Sequence, residues 1–368
     1  MLGLALAVCR FWVSAGLVVG VMFIYCLGVW LVAGLLRYVA YRSALAVPTL
    51  LILLTVVFFV LRVIPGNPIV AMVGMKAPPG YVEQLIREAG LDKPLYVQYF
   101  DYLAQVFTGN LGRSLVFGRR EVAAEIMDRL PATVELAVSA FAVSVLLGHV
   151  FGFLAARFGG RVDLGARLYA MVSYVLFIPF VGLALQLVFS VWLGWFPVAG
   201  RITPGLEPPR VTGLYLVDSL LAGRLDSFAD ALWHLALPSF TLGLVLSGVF
   251  TRLIRNNMVK TLGEDFVSAY RAMGFGELSV LWRAYRVAIV PTVTMMGLQL
   301  ALLLQGAVLT ETTFSWPGLG TLLLERIQYL DYTTVQGTVV VFVVIVVLLN
   351  VLVDVVNALL DPRVRRGL

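Results

Sequence analysis

Residues 287–310 read VAIVPTVTMMGLQLALLLQGAVLT, twenty-four positions without one charged side chain. As a helix rising about 1.5 Å per residue, this run is about 36 Å long and spans the roughly 30 Å hydrocarbon core of a bilayer. Lipid offers no hydrogen bonds to a bare backbone, so the run must be a helix rather than a strand or loop. Its polar amides, Gln299 and Gln305, are candidates for lining a polar path, although amides also join neighbouring helices. Working outward, comparable runs recur at 11–36, 43–61, 136–156, 168–193, about 231–251 and 333–353, giving seven expected spans. Composition agrees: 60% of the chain is hydrophobic and 13% charged, against about 45–50% and about 25% in soluble domains.

What is missing narrows the function. Cys9 and Cys26 both lie in the first hydrophobic segment and, if it is helical, stand about 25 Å apart, too far for a disulfide. The two histidines, His149 and His234, sit in separate spans and make neither a metal set nor a nucleophile–base pair, which speaks against a membrane enzyme. No lysine among Lys76, Lys93 and Lys260 follows a glycine, so the phosphate-cradling G-x-x-x-x-G-K-[ST] loop is absent. Span interiors are almost free of charge, unlike the broken, ion-coordinating helices of secondary transporters and channels. The uncharged run 11–36 exceeds the 7–15-residue core of a signal peptide and reads as a retained helix.

Basic residues set the orientation. The segments at 37–42, 157–167, 252–286 and 354–366 fall on one side of the membrane with 14 basic and six acidic residues, against 13 and 15 on the other. Short basic loops belong in the cytoplasm, so the N-terminus is expected outside and the C-terminus inside. The segment 62–131 is then external. It reads as a helix over Tyr81–Ala89 and a second from Pro94 to about Gly109, with Leu95, Tyr99, Leu103 and Phe107 as its apolar stripe.

The cytoplasmic loop 252–291 reads RLIRNNMVKTLGEDFVSAYRAMGFGELSVLWRAYRVAIVP. Thr261 and Glu264 have the spacing of a capping box and predict a helix start. Phe266, Ala269, Tyr270 and Met273 follow as one apolar face, and Gly274 breaks the helix. An amphipathic elbow between two spans suits docking on a partner or lying on lipid, and the pattern alone leaves both open.

The segment resembles the loop of ABC importer permeases, and specifically of their dipeptide/oligopeptide/nickel subgroup, which reads approximately E-D-[YF]-x4-R-A-x-G-x5-V. Here stand Glu264-Asp265-Phe266, then Arg271-Ala272-Met273-Gly274, then Val280. Further similar stretches run in order: Ile64-Pro65-Gly66-Asn67-Pro68, Gly109-Asn110-Leu111-Gly112-Arg113-Ser114, Leu130-Pro131-Ala132-Thr133, His234 to Pro238, Thr310-Glu311-Thr312 with Phe314 to Gly320, and Asp331 with Gln336-Gly337. The 130–133 and 234–238 stretches match starts of helices. Residues 1–34 have no counterpart in the family pattern.

The resemblance implies an all-α integral membrane protein with the transmembrane fold of a type I ABC importer. It has a six-helix core, residues 37–368, plus one extra N-terminal helix, residues 1–36. It further implies an external insertion at 62–131 and a coupling loop at 252–286, in which Glu264, Asp265, Phe266, Ala269, Tyr270, Arg271, Ala272, Met273 and Gly274 meet an ATPase. The implied partners are a homologous second permease, two ATP-binding subunits and an extracellular substrate-binding protein. ATP and magnesium would bind to the partners and no cofactor to this chain. Di- and oligopeptides are the first expected cargo, with oligosaccharides and nickel as alternatives. Glu311, at the end of an uncharged run, joins Gln299 and Gln305 as a candidate for the translocation pathway.

Overall fold

The computed structural model describes residues 39–60, 80, 83, 86–87, 90, 92–114, 116–118 and 120–360, without the side chains of 294, 297–298, 301–302, 304–306 and 357–360. The expected helices at 11–36 and 81–89 therefore lie outside the described residues or nearly so. Among the described residues all regular structure is helical, apart from one bridge between Arg113 and Glu121. The helices are α1 (Val39–Val60), α2 (Leu95–Phe107), α3 (Val122–Phe158), α4 (Gly160–Val175), α5 (Ile178–Leu185) with a π-helical continuation Gln186–Trp192, α6 (Tyr215–Leu221), α7 (Leu225–Leu262), α8 (Asp265–Ala272), α9 (Glu277–Thr313), α10 (Leu319–Gln328) and α11 (Tyr332–Leu360).

The chain divides into two units, each taking part of α1 and α11. In the first, residues 1–49 and 350–368, Arg42 and Asp354 pair at 3.2 Å. The second, residues 50–349, holds the core. At its centre α3 and α7 approach closely because glycines face bulk: a Cβ on Gly152 would lie 2.7 Å from Ile254 Cβ, and one on Gly243 2.7 Å from Val143 Cβ. Small residues of this kind let apolar helices pack without a hydrophobic drive between them. Leu303 and Ala307 of α9 close one layer against Ala140 and Leu242. Lower down, Leu281 and Ala288 do the same against Ile254 and Met258.

Among the described residues four helices, α1, α3, α7 and α11, are long and apolar enough to cross a membrane, and the α4–α5 pair makes a fifth if the bent pair is one span. The uncharged run 287–310 lies on the 37-residue α9. Their outer flanks expose Ile52, Leu146, Met171 and Val175, a surface that suits lipid and not water.

Three expectations need correction. The run 168–193 is not one straight span: the chain turns by 108° between α4 and α5, where Leu176 and Phe177 are extended and Pro179 sits in the first turn of α5. Pro179 has no N–H to donate to Val175 O and its ring would crowd that carbonyl, so the helix ends and restarts with the proline in its first turn, where no such bond is needed. Pro131 and Pro238 lie inside α3 and α7, not at their starts, because the helices begin earlier, at Val122 and Leu225. On α2 the buried side is Tyr102 with Tyr99, Leu103 and Val106, while Leu95 and Phe107 are exposed. Steps of four residues advance about 40° beyond a full turn, so a 4-4-4 stripe winds off any one face.

Candidate functional site

The coupling elbow is built from the end of α7 outward. Thr261 is buried in the last turn of α7, and Gly263 and Glu264 close that helix by donating to Lys260 O and Thr261 O. The capping-box expectation is thereby corrected: Glu264 is the N-cap of α8, with no side-chain cap, and Thr261 belongs to the preceding helix. Two intervening residues, 263 and 264, are all that separate α7 from α8.

The apolar face is also rotated from its expected position. Val267 is fully buried against Val280 and Ala284 of α9, with Phe266 and Tyr270 partly buried beside it. Ala269, Ala272 and Met273 face outward, along with Asp265, Ser268 and Arg271. The hidden arc thus centres on Val267, because α9 folds back beneath the helix and claims that side. Of the face that sequence predicts for docking, Ala269 and Met273 remain available, and Met273 is 63% exposed.

Gly274 ends α8 through a Schellman arrangement. Phe275 N donates to Tyr270 O at 3.2 Å and Gly274 N to Arg271 O at 3.0 Å, with Gly274 at φ +81°. The accompanying contact between the residues flanking the motif is present as the Tyr270 and Phe275 rings, 5.4 Å apart edge to face. A Cβ on Gly274 would meet nothing within 4 Å, so the glycine serves the left-handed backbone and not a close approach. The Arg283 guanidinium lies over both rings, at 4.7 and 4.6 Å, and Arg271 pairs with Glu277 at 3.0 Å across the turn. Beyond it Leu278 stands 84% exposed.

At the other end of α9, about 50 Å away by helix rise over 34 residues, Glu311 is fully buried. Thr133 Oγ1 donates to its Oε1 at 2.6 Å, and Gly320 N and Thr321 N donate to its Oε2 at 2.7 and 3.2 Å. Leu319 N donates to Thr133 Oγ1 at 2.8 Å. Glu311 and Thr133 together therefore cap the three leading amides of α10. Gly318 and Gly320 make room for this: a Cβ on either would enter the carboxylate or the Val308 backbone. Trp316, fully buried, donates from Nε1 to Ala132 O at 2.8 Å. Both oxygens of Glu311 are engaged inside the subunit, which assigns the carboxylate to holding α10. Gln299 is buried on α9, and the side chain of Gln305 lies outside the described residues.

The same joinery links other motif residues distant in sequence. Asp331, fully buried, accepts from Ser114 Oγ at 2.6 Å and Thr334 Oγ1 at 2.7 Å, and Gly337 packs against Val122.

Two family models match, the N-terminal part of a binding-protein-dependent transport system membrane component over residues 35–137 and the binding-protein-dependent transport system inner membrane component over residues 148–366. The chain belongs to this family. Among curated members it is 39% identical over 334 residues to the di/tripeptide transport system permease protein DppB of Pseudomonas aeruginosa, covering 90% of this chain and 99% of that protein. It is 40% identical over 315 residues to the probable D,D-dipeptide transport system permease protein DdpB of Escherichia coli, covering 85% and 92%. It is 36% identical over 337 residues to the E. coli dipeptide transport system permease protein DppB, covering 90% and 99%. Membership makes the chain a multi-pass inner-membrane permease subunit of binding-protein-dependent transport.

In this permease two features escaped the sequence. One is a buried ion pair: Arg201 donates to Glu135 Oε2 through Nε at 2.9 Å and Nη2 at 2.5 Å, and to Gly213 O at 2.8 Å, with Tyr215 stacked 3.8 Å from the guanidinium. Leu216 N completes Glu135 by donating to Oε1 at 2.8 Å. The signal is Glu135 itself, an acid directly beside the uncharged run 136–156. The other is the Arg283 platform under the elbow, which lies over Tyr270, a residue of the expected docking face, and over Phe275, which is not part of that face.

Proposed function

We propose that this chain is half of the translocation pathway of an ATP-driven importer of di- and oligopeptides, coupled to a cytoplasmic ATPase through α8. The cargo reading rests on the relatives, whose names specify dipeptides, di/tripeptides, D,D-dipeptides and glutathione; they do not favour oligosaccharides or nickel. The coupling reading rests on one observation: a short helix with a buried inner face, a fixed Schellman end, and an outer face of Ala269, Ala272 and Met273, continued by Leu278 at the start of α9, that nothing among the described residues of the second unit covers. Glu264, Asp265 and Arg271 rim that face with charge. The energy would come from two ATP-binding subunits carrying ATP and magnesium. A homologous permease would supply the other half of the pathway, with Gln299 and Gln305 as lining candidates, and an external binding protein would deliver the peptide. The charge asymmetry supports α8 lying in the cytoplasm and 92–121 outside.

Met273→Asp and Ala269→Asp test the coupling face, because each puts a carboxylate on it without touching Val267. In liposomes with the partner subunits, peptide-stimulated ATP hydrolysis is expected to fall at least about tenfold, the effect of roughly 1.4 kcal/mol or more at a buried contact. Full stimulation in both variants would refute α8 as the contact.

A further inference from the structure

Between α4 and α7 lies a groove of about 500 Å³ that the importer reading leaves without a purpose. Its two ends differ in chemistry. The helices run antiparallel, as the ends of their contact show: Asp163 of α4 binds Arg255 of α7 at 2.7 and 2.8 Å, while Gly248 of α7 abuts Ser173 of α4. Around the first contact the groove is lined by Arg167, Arg252, Arg255 and Asn256; toward the second, by Met171, Tyr174, Val175 and Val249. Ala166, Ala170 and Gly248 keep it open.

Three guanidiniums line this end, and two of them share one carboxylate. Asp163 is shared by Arg255 and, at 3.1 Å, by Arg167, whereas Arg252 makes no ion pair among the described residues and is exposed. The cationic end is the one from which α7 runs on to the coupling elbow. From Gly248 to Asn256 the groove follows eight residues of α7, about 12 Å, close to the roughly 15 Å hydrocarbon depth of one leaflet.

We propose that this groove holds one anionic phospholipid of the cytoplasmic leaflet, its phosphate at Arg252, Arg167 and Asn256 and an acyl chain along Met171, Tyr174 and Val249. A basic mouth over an apolar slot at that leaflet matches both parts of such a lipid, whereas a protein helix in the same slot would have to bring carboxylates to that depth. The proposal uses the orientation given above and adds to it a ligand of defined charge.

The assembled importer, in nanodiscs of equal parts phosphatidylglycerol and phosphatidylcholine, is extracted in mild detergent and weighed by native mass spectrometry. Retention of phosphatidylglycerol over phosphatidylcholine by several-fold is expected, falling about fivefold in Arg252→Gln as one charge near the headgroup is lost. Ala170→Phe, which fills the slot, should lower it as well. Equal retention of the two lipids by the unaltered complex, a measurement that needs no variant to fold, would overturn the proposal. So would unchanged retention in Arg252→Gln, or near-complete cross-linking of Tyr174→Cys to another subunit. Selective retention combined with external labelling of Ser268→Cys would keep the lipid site while overturning the orientation.

Discussion

Asp218 shows how one side chain can order a loop between two helices. Burial opposes its charge, yet donors from Thr212 Oγ1 and from the amides of Thr212, Gly213 and Val211 outweigh burial and hold the carboxyl below the usual range. A carboxyl lowered by folding adds stability above its unfolded value of about 3.9, and that addition is lost as pH falls through the folded value. Protection of the Thr212 and Gly213 amides against hydrogen exchange should therefore stay level from pH 8 to about 5 and drop below about 4. In Asp218→Asn it should be weaker and insensitive to acid. An identical acid profile in the variant would assign the drop to another group. Glu311 is the contrasting case: its sequence position suggested a lining role, but its cap on α10 depends on Thr133 and the 319–321 amides, which only the fold brings near.

Elements were more legible than their joints. Uncharged runs located α1, α3, α7, α9 and α11 because lipid imposes helix on any such run, whatever its partners. The inner face of α8 was misjudged for the opposite reason: apolar spacing gives an arc, but only the return of α9 decides that Val267 and not Ala269 is its centre. The break at Leu176–Phe177 was hidden since hydrophobicity continues unbroken through it, and Pro179 alone marked it. Gly274 was legible as a breaker, and the fold now states what it does. Gly274→Asn, which tolerates the left-handed region, should keep the slow exchange of the Phe275 amide seen in the unaltered chain, whereas Gly274→Val, strained by about 1–2 kcal/mol, should speed it about five- to thirtyfold. Equal exchange in all three would mean that the Schellman end does not hold α8.

For the whole molecule the charge count predicts sidedness. Exposed Arg120 and Ser268, each replaced by cysteine, should react with an impermeant maleimide from opposite faces of sealed vesicles; labelling from the same face would invert or break the map. Ser114 would be a poor probe, being fully buried on Asp331. The length of α7 carries a mechanical consequence. Its 38 residues make an unbroken rod of about 57 Å, nearly twice the hydrocarbon thickness, with the Asp230–Thr203 contacts near one tip and α8 two residues beyond the other. A tilt of about 10° about the midpoint would sweep each tip through about 5 Å in opposite directions. A displacement of that size imposed on the elbow is carried to the far end of α7 along one continuous helix, in which Pro238 leaves a single backbone hydrogen bond unmade, with no relay of side chains in between.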